Sequence, residues 1–355
     1  MTEQVVPVDE RGWQELDDAQ LERWLRETDP RLLQKLWEAA DRTRRAYVGD
    51  EVHCRGLVEL SSHCRRGCLY CGLAVSNRGL ERYRMSDEDV LACAERMRRA
   101  GCGSIVLQGG EDPCLDTDRV STLVRRIKTT TELAVTLSLG EREPEELWSW
   151  RQAGADRYLL RFETSEADLY ATLHPPFAPG ALSRLALLEV LRRTGYEVGS
   201  GVMVGLPGQS YRSLVRDLRL FRELDLDMIG LGPFIPHPAT PLGGLIPRAG
   251  DVPGDATMTC KLYALARLLC PFSNLPSTTA LGTLDPAEGR ELGLRRGANV
   301  LMPNFTPPAF RERYRIYPGK TDGSTIPLTR EGLETWLGER GRKLGTGPGS
   351  RRRRG

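Results

Sequence analysis

From residue 51 onward, short apolar runs of strand length alternate with amphipathic segments of helical period. The strand candidates are 52–60, 104–109, 134–139, 157–163, 197–204, 228–235, 273–280 and 299–305. Between them, apolar residues at helical spacing predict helices over 87–99, 118–129, 144–153, 181–194, 211–224, 256–270 and 286–296. Strict alternation requires parallel pairing, because parallel neighbours need a crossover connection. Eight such units predict an α/β fold of the closed (β/α)8 TIM-barrel type, with an open sheet of fewer strands as the alternative. The seventh strand is the least regular: "SNLPSTTA" is polar and carries a proline, which disfavours a central strand.

Helix punctuation supports this reading. Ser86 and Asp89 form a capping pair for the first crossover helix. Gly101, Gly154 and Gly195 fall where helices should end. Ahead of the barrel, "DDAQLERWLRE" and "DPRLLQKLWEAADRTRRAYVGD" read as two helices, the second opened by Asp29–Pro30 and closed by Gly49. The expected organisation is an N-terminal helical extension over 1–50, the barrel over 51–320, and a C-terminal segment over 321–355. The last stretch, "GTGPGSRRRRG", reads as a disordered basic tail.

Composition removes several function classes. A net charge of +2 gives no strong field for nucleic acid or membrane, and Arg351–Arg354 is the only visible basic run. The N-terminal stretch has no apolar core of the secretory kind, and no run of 18 apolar residues occurs. Nine sparse, unevenly placed cysteines do not resemble a secreted disulfide framework, so a reducing cytoplasm is expected, where clustered thiols serve metals or catalysis.

In a barrel of this type the chemistry gathers at the C-terminal strand ends. There the chain carries "QGGED", "SLGE", "RFET", "GLPGQ", "PHPATP", "STTA" and "PNFTPP". The first strand is followed by "SSHCRRGCLYCGL", which places Cys64, Cys68 and Cys71 within eight residues. A closed structural zinc site wants four ligands, usually as two C-x2-C pairs. Only one such pair exists, leaving Cys54 as a remote fourth candidate. Three unrelated core thiols would not be spaced this way. An iron–sulfur cluster takes one thiolate per iron, so three leave one iron of a 4Fe-4S cluster open to an outside ligand.

The C-x3-C-x2-C spacing, with Tyr70 before the third cysteine, resembles the radical S-adenosylmethionine superfamily. That resemblance implies an open iron chelated by S-adenosylmethionine, whose sulfonium is split to give a 5′-deoxyadenosyl radical. The wider chain resembles one family, the FeFe-hydrogenase maturase HydE. The stretches that carry this are "CRRGCLYCGL", "RGLERYRMS", "IVLQGGEDP", "VTLSLGE", "GADRYLLRFET", "MVGLPGQ", "MIGLGPFIPHPATPL" and "GANVLMPNFTPPAFRERYRIYPGK". They span about Val52 to Lys320. Biotin synthase and the methylornithine synthase PylB are similar but more distant.

The resemblance implies that Cys64, Cys68 and Cys71 hold the cluster. It assigns S-adenosylmethionine to Tyr70, Gly109, Gly110, Glu111, Ser138, Glu163 and Arg184. Arg161, Thr278, Thr279, Met302, Tyr314 and Tyr317 would surround a second ligand deeper in the barrel, with Arg161, Tyr314 and Tyr317 in catalytic roles. One step is independent of family. Arg161 and Glu163 are two apart on a strand, so both face inward, and an inward arginine needs an anionic partner. Taken alone, Glu163 and Arg184 would also suit a surface ion pair, and Thr278–Thr279 ordinary loop capping.

The reaction implied is a step in building the diiron subcluster of FeFe-hydrogenase. Its substrate would be a cysteine-bound Fe(CO)2CN complex delivered by HydG, with the product passing toward HydF. Two departures stand out. Phe162 replaces the histidine many members carry and should face outward. "TDGSTIPLTREG" lacks the cysteines that hold a second cluster in some members, so one cluster is expected. The remaining thiols, Cys54, Cys93, Cys102, Cys114, Cys260 and Cys270, are expected to be helical or buried. The alternatives are a radical enzyme acting on an amino acid, as methylornithine synthase does, and a non-enzymatic metal-binding scaffold.

Overall fold

A computed structural model describes residues 12–175, 181–245, 250–320 and 326–352. Eight parallel strands follow the order β6-β5-β4-β3-β2-β1-β8-β7. They are β1 (Glu51–Ser61), β2 (Ser104–Gly109), β3 (Ala134–Ser138), β4 (Arg157–Leu159), β5 (Glu197–Val204), β6 (Met228–Pro233), β7 (Pro276–Ser277) and β8 (Val300–Leu301). Between β6 and β7 the ring is joined by a parallel bridge from Met228 to Asn274, with Ile229 N–H donating to the Asn274 carbonyl at 2.9 Å. The result is the nearly closed (β/α)8 barrel that the alternation predicts.

Burial explains why these runs form strands. β1 is buried at almost every position, as expected when one face meets the helix layer and the other the barrel interior. Gly201 of β5 shows how close that packing is. A Cβ there would lie 1.9 Å from the Gly230 carbonyl oxygen on β6.

All seven predicted crossover helices are present with small shifts: α3 (Asp87–Arg99), α4 (Thr117–Thr131), α5 (Pro144–Gln152), α7 (Arg184–Arg193), α8 (Tyr211–Glu223), α9 (Ala256–Leu269) and α11 (Gly289–Arg295). The Ser86–Asp89 capping box forms, and Gly101, Gly154 and Gly195 adopt positive φ at helix ends. Helix α7 starts at Arg184 rather than 181 because the Ser183 side chain accepts from Ala186 N–H. A short α6 (Ala167–Leu173), not expected from the sequence, follows "RFET". Outside the barrel, α1 (Asp18–Arg26) packs on α8, and α2 (Pro30–Val48) packs on α9. Asp29 caps α2 and Gly49 closes it, as read from the sequence.

Three strands are shorter than predicted. Beyond Leu159, β4 continues only as a bridge from Glu163 to Val202, and beyond Leu301, β8 continues only as a bridge from Asn304 to Leu57. The seventh strand reduces to two residues, because the chain turns into α10 (Thr279–Leu284) directly after Ser277.

The tail corrects a further expectation. Residues 343–352 are packed, not disordered. Lys343–Leu344 forms β9, parallel to β1 at Glu51–Val52. The following strap crosses the bottom of the barrel, opposite the strand ends that carry the unusual residues. There the Gly349 carbonyl accepts from Arg55 at 2.9 Å and from Asn274 at 3.1 Å. Arg157, fully buried, donates to the Pro348 carbonyl at 2.8 Å, the Ser350 hydroxyl at 3.0 Å and Glu197 at 2.8 Å. Burial, and then Arg157, lowers the Arg55 pKa to about 9. Composition cannot reveal this, because the strap contributes backbone carbonyls while the charge it satisfies lies hundreds of residues away. Arg353, Arg354 and Gly355 lie outside the described residues.

Of the remaining cysteines, Cys54, Cys93, Cys102, Cys260 and Cys270 are buried, whereas Cys114 is exposed. Among the described residues no helix is long and apolar enough to cross a membrane.

Deleting residues 346–355 removes acceptors from two buried guanidinium groups and should lower the unfolding free energy by about 3 kcal/mol in urea. An unchanged midpoint and slope would show that the strap contributes nothing.

Candidate active site

The cysteine loop leaves β1 at Ser61 and folds over the mouth of the barrel. Its backbone is tied at several points. Leu69 N–H donates to the Leu173 carbonyl at 2.9 Å, Gly72 N–H to Ile316 at 2.9 Å, and Arg65 N–H to Glu111 at 3.1 Å. Gly110 lets β2 meet the loop, since a Cβ there would lie 2.6 Å from Cys64 Cβ. All three thiols are free. Burial, the largest cause in each case, raises the pKa of Cys64, pushes that of Cys68 to about 11 and that of Cys71 to about 12. Such thiols become thiolates only against a strong local cation, which a metal centre supplies.

Among the described residues no three His, Cys, Asp or Glu side chains converge on a single-ion site. Cluster ligands each serve a different iron and need not converge. The donor set, three thiols from one loop beside a polar pocket wall, fits a three-ligand 4Fe-4S cluster.

That wall is built by charged residues at the strand ends. Arg161 and Glu163 lie beyond the end of β4, where the chain turns rather than alternates, and still meet: Arg161 Nη2 lies 3.1 Å from Glu163 Oε2. The anionic partner expected for Arg161 is thus Glu163 itself. Glu163 holds φ = +64°, a region non-glycine residues rarely adopt. The turn is secured by Glu163 N–H to the Gly201 carbonyl at 3.0 Å and Ser165 N–H to Asp217 Oδ1 at 2.7 Å. Phe162, between them, is buried outward and packs on Phe221 of α8 at 5.7 Å, as expected.

Arg184, the first residue of α7, donates to Glu141 at 2.9 Å and to the Arg161 carbonyl, and lies 4.0 Å from Glu163 Oε1. Glu111 is buried. Its Oε1 accepts from Glu141 N–H at 3.0 Å, while its Oε2 takes no hydrogen bond and lies 3.7–3.8 Å from Arg65 and Arg66. Desolvation raises the Glu111 pKa. Gly109 ends β2, and Ser138 ends β3 in register with Gln108. Tyr70 is near the His174 ring, at 6.3 Å, and burial raises its pKa.

Deeper residues are brought together too. Tyr314 is buried and its hydroxyl accepts from Gln108 at 3.3 Å. Burial, chiefly, pushes Tyr317 to about 12, with Arg290 opposing. Met302 follows β8, half-buried. The two threonines are already engaged: Thr278 Oγ1 donates to the Leu231 carbonyl at 2.8 Å, and Thr279 Oγ1 accepts from Arg290 at 2.8 Å. Thr278 stands at the N-terminus of α10, so the loop-capping position and the mouth coincide.

Sequence reasoning missed four residues. Glu141 and His174 bridge Arg66 and Arg184. Arg66 lies 3.2 Å from Glu141 and 3.0 Å from His174 Nδ1. Burial, then the two arginines, drives His174 down to about 2, so it is neutral. Both arginines are obligate donors, so the imidazole accepts from one of them. Only one of the two contacts, Arg66 to Nδ1 or Arg184 to Nε2, is therefore a hydrogen bond, and Nδ1 also faces the Tyr170 hydroxyl at 3.2 Å. Glu59 and Lys320 form the second pair, an ion pair inside the barrel with Asn304 donating to Glu59 at 3.2 Å; Lys320 also stacks over Tyr314 at 4.5 Å. The signal for Glu141 was its place in "SLGE", and for Lys320 its place in "YPGK". Nothing local marked Glu59 or His174.

A parallel barrel with three thiols and a charged wall at its mouth defines a class, the radical S-adenosylmethionine enzymes. The sequence profile described as the Radical SAM superfamily matches residues 58–221. The chain is 48% identical over 323 residues to the [FeFe] hydrogenase maturase subunit HydE of Thermotoga maritima, covering 90% of this chain and 89% of the other. The 3-methylornithine synthase of Methanosarcina acetivorans is 27% identical over 271 residues, covering 76% of this chain and 74% of the other. Among solved structures, methylornithine synthase (PylB) superposes with a TM-score of 0.81 at 24% identity, over 95% of this chain and 97% of the other. The chain belongs to the HydE family within the radical SAM superfamily, whose members use a 4Fe-4S cluster on three cysteines together with S-adenosylmethionine.

Glu141→Gln leaves Arg66 and Arg184 without their shared carboxylate. Unfolding in urea should become easier by about 3 kcal/mol. A loss below about 0.5 kcal/mol would mean that water already screens the pair. Cys68→Ala should abolish reductive cleavage of S-adenosylmethionine by anaerobically reconstituted protein, measured as 5′-deoxyadenosine formed. Wild-type turnover would contradict the cluster assignment.

Proposed function

We propose that this enzyme acts in assembly of the diiron subcluster of FeFe-hydrogenase, on a cysteine-bound Fe(CO)2CN complex. The observation that carries this reading is the 48% identity to the HydE of Thermotoga maritima across nine-tenths of the chain. It is supported by the meeting of the cysteine loop with the ends of β2, β3 and β4, where Arg66 approaches Glu111 and Glu141, and Arg184 approaches Glu141 and Glu163. In this reading Cys64, Cys68 and Cys71 hold the cluster. Glu111 Oε2, which takes no hydrogen bond, accepts from the methionine amino group, with Gly109 and Gly110 allowing close approach. Arg184 pairs with the methionine carboxylate. Ser138, Glu163 and Tyr70 line the rest of that pocket.

Held by Cys64, Cys68 and Cys71, the cluster would supply one-electron reduction of S-adenosylmethionine, and the radical chemistry this provides would be directed at the cysteine sulfur of the substrate. The protein's part is orientation and exclusion of water. Arg161 anchors the substrate's negative charge, while Thr278, Thr279, Met302, Tyr314 and Tyr317 shape the chamber around it. The substrate comes from HydG and the product passes toward HydF. The nine free thiols suit a reducing cytoplasm.

An amino-acid substrate is the second reading, favoured by the fold shared with methylornithine synthase. Incubating reconstituted enzyme and S-adenosylmethionine with the synthetic iron–cysteine complex or with lysine separates the two. The proposal expects an adenosylated product from the complex, detected by mass spectrometry, and unchanged lysine. Rearranged lysine with no adduct from the complex would overturn it.

A further inference from the structure

Reductive cleavage of S-adenosylmethionine needs an electron from outside, and the structure suggests where it enters. We infer that a surface depression beside Cys64 is the docking site of a small acidic one-electron carrier protein. This rests on the cluster reading above.

The depression, about 400 Å³, lies on the outer side of the cysteine loop. Cys64 lines it, whereas Cys68 and Cys71 do not. Of the proposed cluster ligands, this is the one reached from that side. Four arginines, Arg65, Arg78, Arg82 and Arg84, also line it, together with His63 and no carboxylate.

The charge balance is positive. Arg84 is matched by Asp112, at 2.7 and 2.9 Å. Arg65 lies 3.7 Å from Glu111. Arg82 donates to main-chain carbonyls, those of Leu73 at 2.9 Å and Ala74 at 2.8 Å among them, which fix the guanidinium without cancelling its charge. Arg78 is exposed and makes no ion pair among the described residues. Val75 also lines it and is 55% exposed, one of the few large apolar side chains left in water among the described residues.

An exposed apolar side chain among arginines is the make-up of a protein interface, where arginine is enriched over lysine. A positive face selects and steers a negative partner. The step balances simply: the carrier is oxidised by one electron and the cluster reduced by one, with no bond or proton moved.

Reduced flavodoxin, whose surface is acidic, is the probe, and dithionite the small-molecule comparison. The variants are Val75→Asp, Arg78→Glu and Arg78→Lys. Their iron content and thermal unfolding are measured first, to select folded, loaded protein. With flavodoxin at low salt, Arg78→Glu and Val75→Asp should slow 5′-deoxyadenosine formation about tenfold, and Arg78→Lys should retain the rate. All three should match wild type with dithionite. Association of oxidised flavodoxin with the wild type, read by calorimetry without turnover, should weaken as ionic strength rises, because screening shortens the reach of surface charge.

Equal flavodoxin rates in wild type and Arg78→Glu, or association indifferent to salt and to both acidic substitutions, would overturn the docking site. Absence of cleavage by the wild type with dithionite would instead remove the functional reading, leaving calorimetry to decide the docking claim.

Discussion

Arg66 of the cysteine loop and Arg184 of α7 share one carboxylate, Glu141, and one neutral imidazole, His174, almost out of water. The site depends on this array. It ties the loop after β1 to the ends of β3 and β4 and to the helix after them. Removing two guanidinium groups from water is costly, and the cost is offset only if geometry and remaining hydrogen bonds are good. Here Arg66 also donates to the Pro175 carbonyl and Arg184 to that of Arg161. Each partner fixes the others, so the cysteine loop has one position over the barrel.

That arrangement explains the division of labour between the two ends of the barrel. At the mouth, Glu111 Oε2 is buried without a hydrogen bond, whereas Glu163 Oε2 is met by the Arg161 guanidinium at 3.1 Å. An unmatched buried acceptor at a pocket wall is available to a ligand. At the bottom, buried charge instead meets main-chain oxygen. Arg55 and Arg157 are sealed by carbonyls of the C-terminal strap. The candidate reactive groups lie at one end and the strap closes the other, as barrel enzymes generally place their sites.

Much of this was legible in the sequence, for identifiable reasons. Strand and helix periods are local, so the eight units could be counted. Capping chemistry is local, so Ser86, Asp29 and the closing glycines were read correctly. Cys64, Cys68 and Cys71 declare themselves by spacing, whereas Arg161 and Glu163 pair in a turn beyond β4 and not on the strand whose alternation singled them out. What was not legible depends on partners distant in sequence. His174 acquires its role only when Arg66 and Arg184 arrive beside it. Glu59 lies inside an apolar-looking strand, and its partner Lys320 is 261 residues away. The strap looked disordered because glycine, proline and arginine suggest it, while its actual contribution is main-chain oxygen. The seventh strand fell short because Pro276 and the two threonines after Ser277 favour turning into α10 over extending a ladder.

The central claim is that three thiols leave one iron open to S-adenosylmethionine. Electron paramagnetic resonance of the anaerobically reconstituted, reduced protein tests it most directly. A reduced 4Fe-4S signal whose shape changes when S-adenosylmethionine is added is the predicted result. A signal identical with and without it, or a preparation holding zinc in place of iron, would contradict the claim.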